Sequence, residues 1–288
     1  GNFVSGTETE NGLTKEITVD ANGFRVVSAA ALPASELAAL AVTDATVLAE
    51  IPTSFVFDVN GTNTAYAKLT RDDSAGSQMT GGGKEYTYFN AQGTEIGRAF
   101  EFQNWDGGVV TSFNDVNHEY LGEVRVKTND YKEIRFEETK DVSGTQRFVE
   151  TFTEYTWDTS ASPSAWKVTR TQESIYTDQP YDGGTLISRV EEREGQKFTF
   201  DDTGAMVGSE FTGDANDLQP LTDDFMIAAL PTQWSSVGTI RASFETLPSS
   251  GAWDAEQYWT FYAESSSGAL EIVGYATAQA NLDANFNI

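Results

Sequence analysis

His118 is the single histidine of the chain, and it stands beside Glu119 and Tyr120. These residue types act as general acids and bases, and lyases that act on acidic sugars often pair a His or Tyr base with a neutralising group. The three residues are therefore the candidate catalytic set for a polysaccharide-acting enzyme. In the alternative interpretation His118 is a turn residue of a hairpin.

Oxygen-bearing side chains are densest near residue 220. Carboxylate and amide oxygens are the ligands that calcium prefers, and the cluster consists of Asp214, Asn216, Asp217, Asp223 and Asp224. We predict a calcium site here and no other cofactor. Such residues also form turns through bonds to their own backbone, which is the alternative.

Three of the six tryptophans are candidates for ligand binding because each adjoins a predicted loop. Trp105 precedes Asp-Gly-Gly, where a loop can display its ring. Trp157 and Trp166 flank a Ser/Pro-rich loop and are predicted to pair at one hairpin end. Displayed rings can stack on sugars, whereas packing in a core is the other common role of tryptophan.

A nine-residue pattern recurs along the chain: Phe, Asn or Asp, two free positions, Gly, two free positions, Ile or Val, and Gly. Residues 89–97 and 200–208 align without gaps, and residues 113–122 align with one inserted residue. Asx residues begin tight turns, and a left-handed residue closes a short hairpin loop. In the third copy we predict Asn117 as the left-handed residue, with His118 at the position of Thr94 and Ala205 in the other copies.

These turns predict successive antiparallel hairpins, because a short loop can join only antiparallel strands. Alternating polar and large or β-branched residues predict strands over 147–157 and 166–176, and again over 238–247, 257–263 and 269–277. We therefore predict a mainly β fold with one or two short helices. The sheet would be an extended meander, a sandwich or a barrel.

Two segments interrupt the strand pattern. Residues 35–50 predict a helix with Ser35 as its N-cap, and residues 222–230 predict a shorter one. The chain is predicted to form a single β-rich domain over 1–288. The turn-rich stretch before the second helix suggests a possible subdivision into 1–212 and 213–288.

Acidic residues exceed basic ones by 44 to 18, which gives a net charge of −26. Binding to nucleic acid depends on basic residues that displace counterions, so we expect no nucleic-acid partner. No apolar run approaches the roughly 20 residues of a membrane helix, so we expect no membrane span. The chain has no cysteine, which excludes disulfides and thiol catalysis.

The nine-residue pattern, with its Ser112-Phe113-Asn114-Asp115 variant, resembles hairpin repeats in very large secreted or cell-surface repeat proteins of aquatic bacteria. The resemblance covers about residues 86–211. It implies a β-rich, adhesin-like module located outside the cell or in the envelope, and it carries over no catalytic residue.

Three functions follow as hypotheses. The first is a non-enzymatic extracellular or envelope-exposed module that binds a surface partner, a glycan or calcium. The second is a polysaccharide lyase or hydrolase on a β scaffold. The third is a purely structural stalk segment, which predicts no ligand-sized cleft and no displayed aromatic residues.

Overall fold

The computed structural model describes residues 5–10, 13–19, 24–29, 31–73, 82–193, 195–214, 218–220, 240–248, 255–264 and 268–280. An N-terminal antiparallel sheet contains β1 (Ser5–Glu10), β2 (Leu13–Val19) and β3 (Arg25–Ala29). A 13-stranded sheet follows, with β4 (Ala41–Val42), β5 (Phe57–Val59), β6 (Thr62–Asp72), β7 (Lys84–Phe89), β8 (Glu95–Gln103), β9 (Val109–Asp115), β10 (Tyr120–Lys127), β11 (Tyr131–Val142), β12 (Thr145–Asp158), β13 (Ala165–Tyr176), β14 (Leu186–Arg193), β15 (Gln196–Phe200) and β16 (Met206–Phe211). A third sheet contains β17 (Gln219–Pro220), β18 (Ile240–Pro248), β19 (Ala255–Glu264) and β20 (Leu270–Ala280).

The mainly β prediction is confirmed, and the large sheet is an extended meander. From β6 to β16 each strand neighbours the next strand in the chain, and the registers of these pairs are antiparallel. The strands predicted over 147–157 and 166–176 are β12 and β13, and the last three predicted strands are β18 to β20. The contacts divide the chain into two compact units, residues 1–169 and 170–288.

The single helix predicted over 35–50 is wrong, because this segment contains two short helices with a strand between them. They are α1 (Ala34–Ala39) and α2 (Ala45–Leu48), and β4 separates them by pairing with Ala65 and Tyr66 of β6. Pairing covers backbone groups of an edge strand, which a continuous helix would leave unpartnered. Ser35 lies inside α1 and is not its N-cap; the residue that caps by side chain is Asp44, whose Oδ1 accepts from the amides of Thr46 and Val47. The helix predicted over 222–230 lies outside the described residues.

Residues 34–56, which we call the clasp, wrap around the β6 edge of the sheet. On one face α1 packs Leu37 against Tyr66 and Phe89. On the other face a single 3-10 turn, Thr53–Phe55, buries Phe55 on the sheet. Successive strand residues point to opposite faces, so a segment that crosses the edge at β4 can cover both.

Phe55 is the centre of the larger core of the first unit. Its side chain is 2% exposed, and its ring stacks on Tyr88 at 4.8 Å between centroids and approaches Phe113 at 6.4 Å. The floor under the ring is Gly97, where an added Cβ would lie 2.3 Å from Phe55 Cζ. The last glycine of the recurring pattern is therefore required here because the clasp needs the space.

The loops of the recurring pattern correct the alignment of its third copy. The backbone of each loop is closed by two bonds between its first and its fourth and fifth residues, in loops 90–94, 104–108, 115–119 and 201–205. His118, with φ of 68°, occupies the left-handed position held by Gly93 and Gly204. The predicted assignment of Asn117 to that position, and of His118 to the position of Thr94 and Ala205, is wrong. The turn begins at Asp115, so residues 114–122 align with the other copies without an insertion.

The second unit has its own buried centre. Tyr262 is fully buried, accepts a hydrogen bond of 2.6 Å from Gln196 Nε2 and meets the ring of Phe211 at 5.1 Å. Glu191 is buried on β14, with its Oε1 3.1 Å from Arg170 Nε. Outside the core of β18–β20, the ion pair of Glu191 and Arg170 thus joins β14 to β13.

Candidate functional site

The pair of tryptophans predicted at the β12–β13 hairpin is present. Trp157 lies near the end of β12 and Trp166 near the start of β13, and their ring centroids are 5.1 Å apart with planes at 73°. Both side chains are partly exposed. The two rings therefore form an edge-to-face corner that presents aromatic surface to solvent.

A buried lysine lies beside this corner. Lys132 of β11 is the cross-strand neighbour of Tyr155, and its Nζ lies 4.3 Å from the Tyr155 ring centroid and 5.6 Å from that of Trp166. The lysine side chain is 10% exposed, and Nζ is 2.8 Å from Oε1 of Glu50 in the clasp. A buried ammonium requires such a partner, since leaving it unpaired would cost several kcal/mol, on the order of 3–5.

We call Glu50, Lys132, Tyr155, Trp157 and Trp166 the tryptophan-pair site. It joins three aromatic rings to an ion pair whose ammonium is held by burial on one side and by Glu50 on the other. Lysine supplies donors and the carboxylate supplies acceptors. The arrangement can hold a ligand that has both an apolar face and directional hydroxyl groups.

Trp105 is exposed on a loop, as predicted, but it lies apart from the pair formed by Trp157 and Trp166. It is 90% exposed in loop 104–108, which joins β8 to β9. This loop and the β12–β13 loop lie at the same end of the strands, which we call the tryptophan end. Four interstrand spacings of about 4.8 Å put the two hairpins roughly 19 Å apart.

His118 lies at the opposite end of the strands. Loop 115–119 joins β9 to β10, and β10 has eight residues, so about 27 Å of strand separates this loop from the tryptophan end. His118 is exposed, and its amide and carbonyl groups serve the turn, bonding Asp115 O and Asn114 Nδ2.

The neighbours of His118 have structural partners of their own. The amide of Glu119 donates to Asp115 Oδ1 in the same loop. Burial raises the pKa of Tyr120, and the nearby carboxylates of Glu123 and Glu137 raise it further. A tyrosine that acts as a base must give up its proton near neutral pH, and this environment opposes that loss.

Most of the predicted calcium ligands lie outside the residues that the structure describes. Asp214 is exposed at the end of a described segment, whereas Asn216, Asp217, Asp223 and Asp224 lie outside the described residues. Within the described ranges, no group of three or more His, Asp or Glu side chains is arranged to hold a metal ion. The calcium site stays a prediction.

Sequence reasoning missed Glu50, Lys132 and Tyr155. A signal existed for Lys132, because it alternates with Ile134 and Phe136, two buried apolar residues on the same strand face. A charge in such a row indicates a buried partner or a site. Glu50 gave no such signal, since only the fold of the clasp brings it to β11.

Among the described residues, no helix has the length and apolarity needed to cross a membrane. The chain matches no protein-family model, no curated protein sequence and no solved structure.

Proposed function

We propose that this chain is a non-enzymatic binding module, exposed outside the cell or in its envelope, that binds a neutral glycan at the tryptophan-pair site. The observation that carries the proposal is the partly exposed corner of Trp157 and Trp166 beside the buried Lys132–Glu50 ion pair. The cellular location follows the resemblance of the hairpin repeats to those of large surface proteins.

A sugar ring needs both kinds of surface that this site offers. Its C–H face packs on an aromatic ring, and its hydroxyl groups need fixed donors and acceptors. Aromatic rings supply large contact area with few rotatable bonds, and a few placed polar groups give orientation. Lys132 is fixed by its burial and by Glu50, so a hydroxyl bound there loses little affinity to side-chain ordering.

The charge of the chain favours a neutral glycan over an acidic one. A net charge of −26 repels polyanions at long range. Binding of a neutral sugar should therefore be nearly independent of ionic strength between about 0.05 and 0.5 M, where surface charges become screened.

The geometry favours binding over catalysis for two reasons. His118 and Glu119 lie in a turn about 27 Å of strand away from the tryptophan-pair site. Tyr120 has a raised pKa, so it keeps its proton at neutral pH and is not in the form that acts as a base. The candidate acid–base residues and the aromatic surface thus do not share one site.

The experiment is a binding screen of neutral and acidic oligosaccharides by tryptophan fluorescence, followed by calorimetry on the best ligand. Trp157→Ala and Trp166→Ala should each weaken binding at least tenfold. Tyr181→Ala removes an aromatic ring that is 95% exposed in the second unit and should change the affinity less than twofold. Trp105→Ala maps the extent of the site, and we expect no effect on a trisaccharide because the loop lies roughly 19 Å away.

Three outcomes would contradict the proposal. Unchanged affinity in both pair variants would place the glycan elsewhere. Release of new reducing ends or unsaturated sugars, lost in His118→Ala, would favour the lyase or hydrolase. Absence of binding across the whole screen would favour the structural stalk.

A further inference from the structure

A groove lies between the clasp and strands β6 to β10, on the face of the sheet that carries Phe55. Its volume is about 370 Å³. Val47 and Ile51 of the clasp form one wall, and Tyr86, Val109 and Val126 contribute to the floor. This volume lies within the usual range of small-molecule sites, roughly 300–1,000 Å³.

The groove is lined mainly by apolar side chains, some of which are open to solvent. Val109, the first residue of β9, pairs with Val126 of β10 and is 39% exposed. Val47 on the opposite wall is also exposed. A ligand that covers these exposed apolar side chains removes them from water, which favours binding.

The charged groups that line the groove are two carboxylates, Glu50 and Glu101, and no lysine or arginine among the described residues lines it. Their partners Lys132 and Lys84 approach from outside the lining, and each bonds a single oxygen, Oε1. An ionised carboxylate has about four acceptor positions, so one lysine leaves acceptors for a further donor.

Tyr86 adds a neutral hydroxyl to this lining. Burial raises its pKa, and the neighbouring carboxylate of Glu101 raises it further, so the phenol keeps its proton. Together the groups offer an apolar floor with acceptors, and the ammonium groups of Lys84 and Lys132 lie outside the lining. An anionic head would meet two carboxylates and the field of a chain with a net charge of −26.

We propose that the groove binds a small primary amine with an aryl or alkyl body. The body lies on Val109 and Val126, and the ammonium donates to Glu101. This inference rests on the groove and on Glu101, and it shares with the tryptophan-pair site only Glu50, which lines the groove and pairs with Lys132.

The test uses three probes of one shape and different head groups: 4-phenylbutylamine, 4-phenylbutan-1-ol and 4-phenylbutanoate. Each is titrated into the full chain by calorimetry at pH 7 and 0.15 M salt. The amine should bind at least fivefold more tightly than the alcohol, and the acid should not bind at 1 mM. Equal binding of amine and acid, or no binding of any probe at 1 mM, would overturn the proposal.

Paired variants locate the bound amine. Val109→Phe fills the floor and should weaken binding at least tenfold, whereas Val168→Phe makes the same change at an exposed valine of β13 and should leave it within twofold. Glu101→Gln should abolish the preference for amine over alcohol without weakening the alcohol, and it serves also if Val109→Phe fails to fold. Glu36→Gln removes an exposed charge outside the groove and should preserve that preference. Equal effects within either pair would show nonspecific attraction to an acidic surface.

Discussion

Replacing Phe55 by alanine tests whether the clasp is held to the sheet by one aromatic anchor. The ring is buried against Tyr88 and Phe113. The clasp also contacts this face through the buried side chain of Ile51 and through the hydrogen bond that Thr53 N donates to Glu138 Oε1. Loss of the ring should leave a cavity on the sheet face while the strands keep their backbone pairing. The first unit should therefore be destabilised, and the clasp should open more often than the sheet.

The expected magnitude follows from the burial. Deleting a fully buried phenylalanine costs about 3–5 kcal/mol, through lost transfer free energy and the cavity left behind. For a unit of 169 residues, 1–169, each kcal/mol lowers Tm by roughly 2–4 °C. The Tm of this unit should thus fall by roughly 6–20 °C. Phe24→Ala makes the same change at an exposed phenylalanine and should shift Tm by roughly 2 °C or less.

Calorimetry combined with hydrogen exchange provides the assay. In Phe55→Ala the amides of Leu48 and Ala49, which bond Asp44 O and Ala45 O, should lose protection before those of β8 and β9. A loss below about 1 kcal/mol, or equal loss of protection in clasp and sheet, would refute the idea of an anchor.

A second substitution sharpens this test. Gly97→Ala places a methyl group against the Phe55 ring and should cost about 1–3 kcal/mol in the otherwise unchanged protein. In the Phe55→Ala background the cost should be smaller, although the carbonyl of Asn114, 2.4 Å from the added Cβ, retains part of it. Additive effects of the two changes would mean that the ring does not press on Gly97.

Three further predictions concern charge, backbone and exposure. Burial raises the pKa of Glu138, but hydrogen bonds from Thr53 and Lys140 outweigh it, so the pKa lies below the ordinary 4.5. The stability that this carboxylate contributes is therefore present above pH 4.5 and is lost as pH falls through its folded pKa. Tm measured from pH 3 to 7 should depend less on pH in Thr53→Val than in the unchanged protein. An unchanged pH dependence would contradict this contribution of Glu138. His118→Gly should raise the free energy of unfolding by up to about 1 kcal/mol in denaturant titrations, because left-handed backbone strains a side-chain-bearing residue; a fall would show that the imidazole makes stabilising contacts. Trp105→Ala should change stability by less than about 0.5 kcal/mol and remove the most red-shifted tryptophan emission, and a Tm loss of several degrees would contradict its exposure.

The hairpins could be predicted from the sequence because each depends on neighbouring residues. Asp201 and Gly204 close their loop with bonds that span five residues, and the alternation on both sides supplies the strands. The pairing of Trp157 with Trp166 was predictable for the same reason, since a short loop brings them together. The third copy was misaligned because asparagine is the expected substitute for glycine in left-handed backbone, and Asn117 stands next to His118.

The clasp and the sites could not be predicted in the same way because they depend on contacts between distant residues. Helical periodicity over 35–50 gave no sign that Ala41 and Val42 pair with β6, which requires knowing that this edge is free. The contact of Glu50 with Lys132 spans 82 positions, and the sequence offers many carboxylates as partners. The path of the clasp determines that Glu50 is the carboxylate that pairs with Lys132.

The four loops that share the same two backbone hydrogen bonds have one position, the second, whose side chain does not contribute to the turn. The first residue caps the loop, the fourth takes the left-handed conformation, and the second points into solvent: Ala91, Trp105, Val116 and Asp202. A small methyl, an indole, a branched alkyl group and a carboxylate are all accepted there on the same backbone. The residue at this position can therefore be replaced in each loop without changing the conformation of the hairpin. A sheet built in this way can acquire new surface chemistry by single substitutions, and its architecture stays constant while its recognition properties drift.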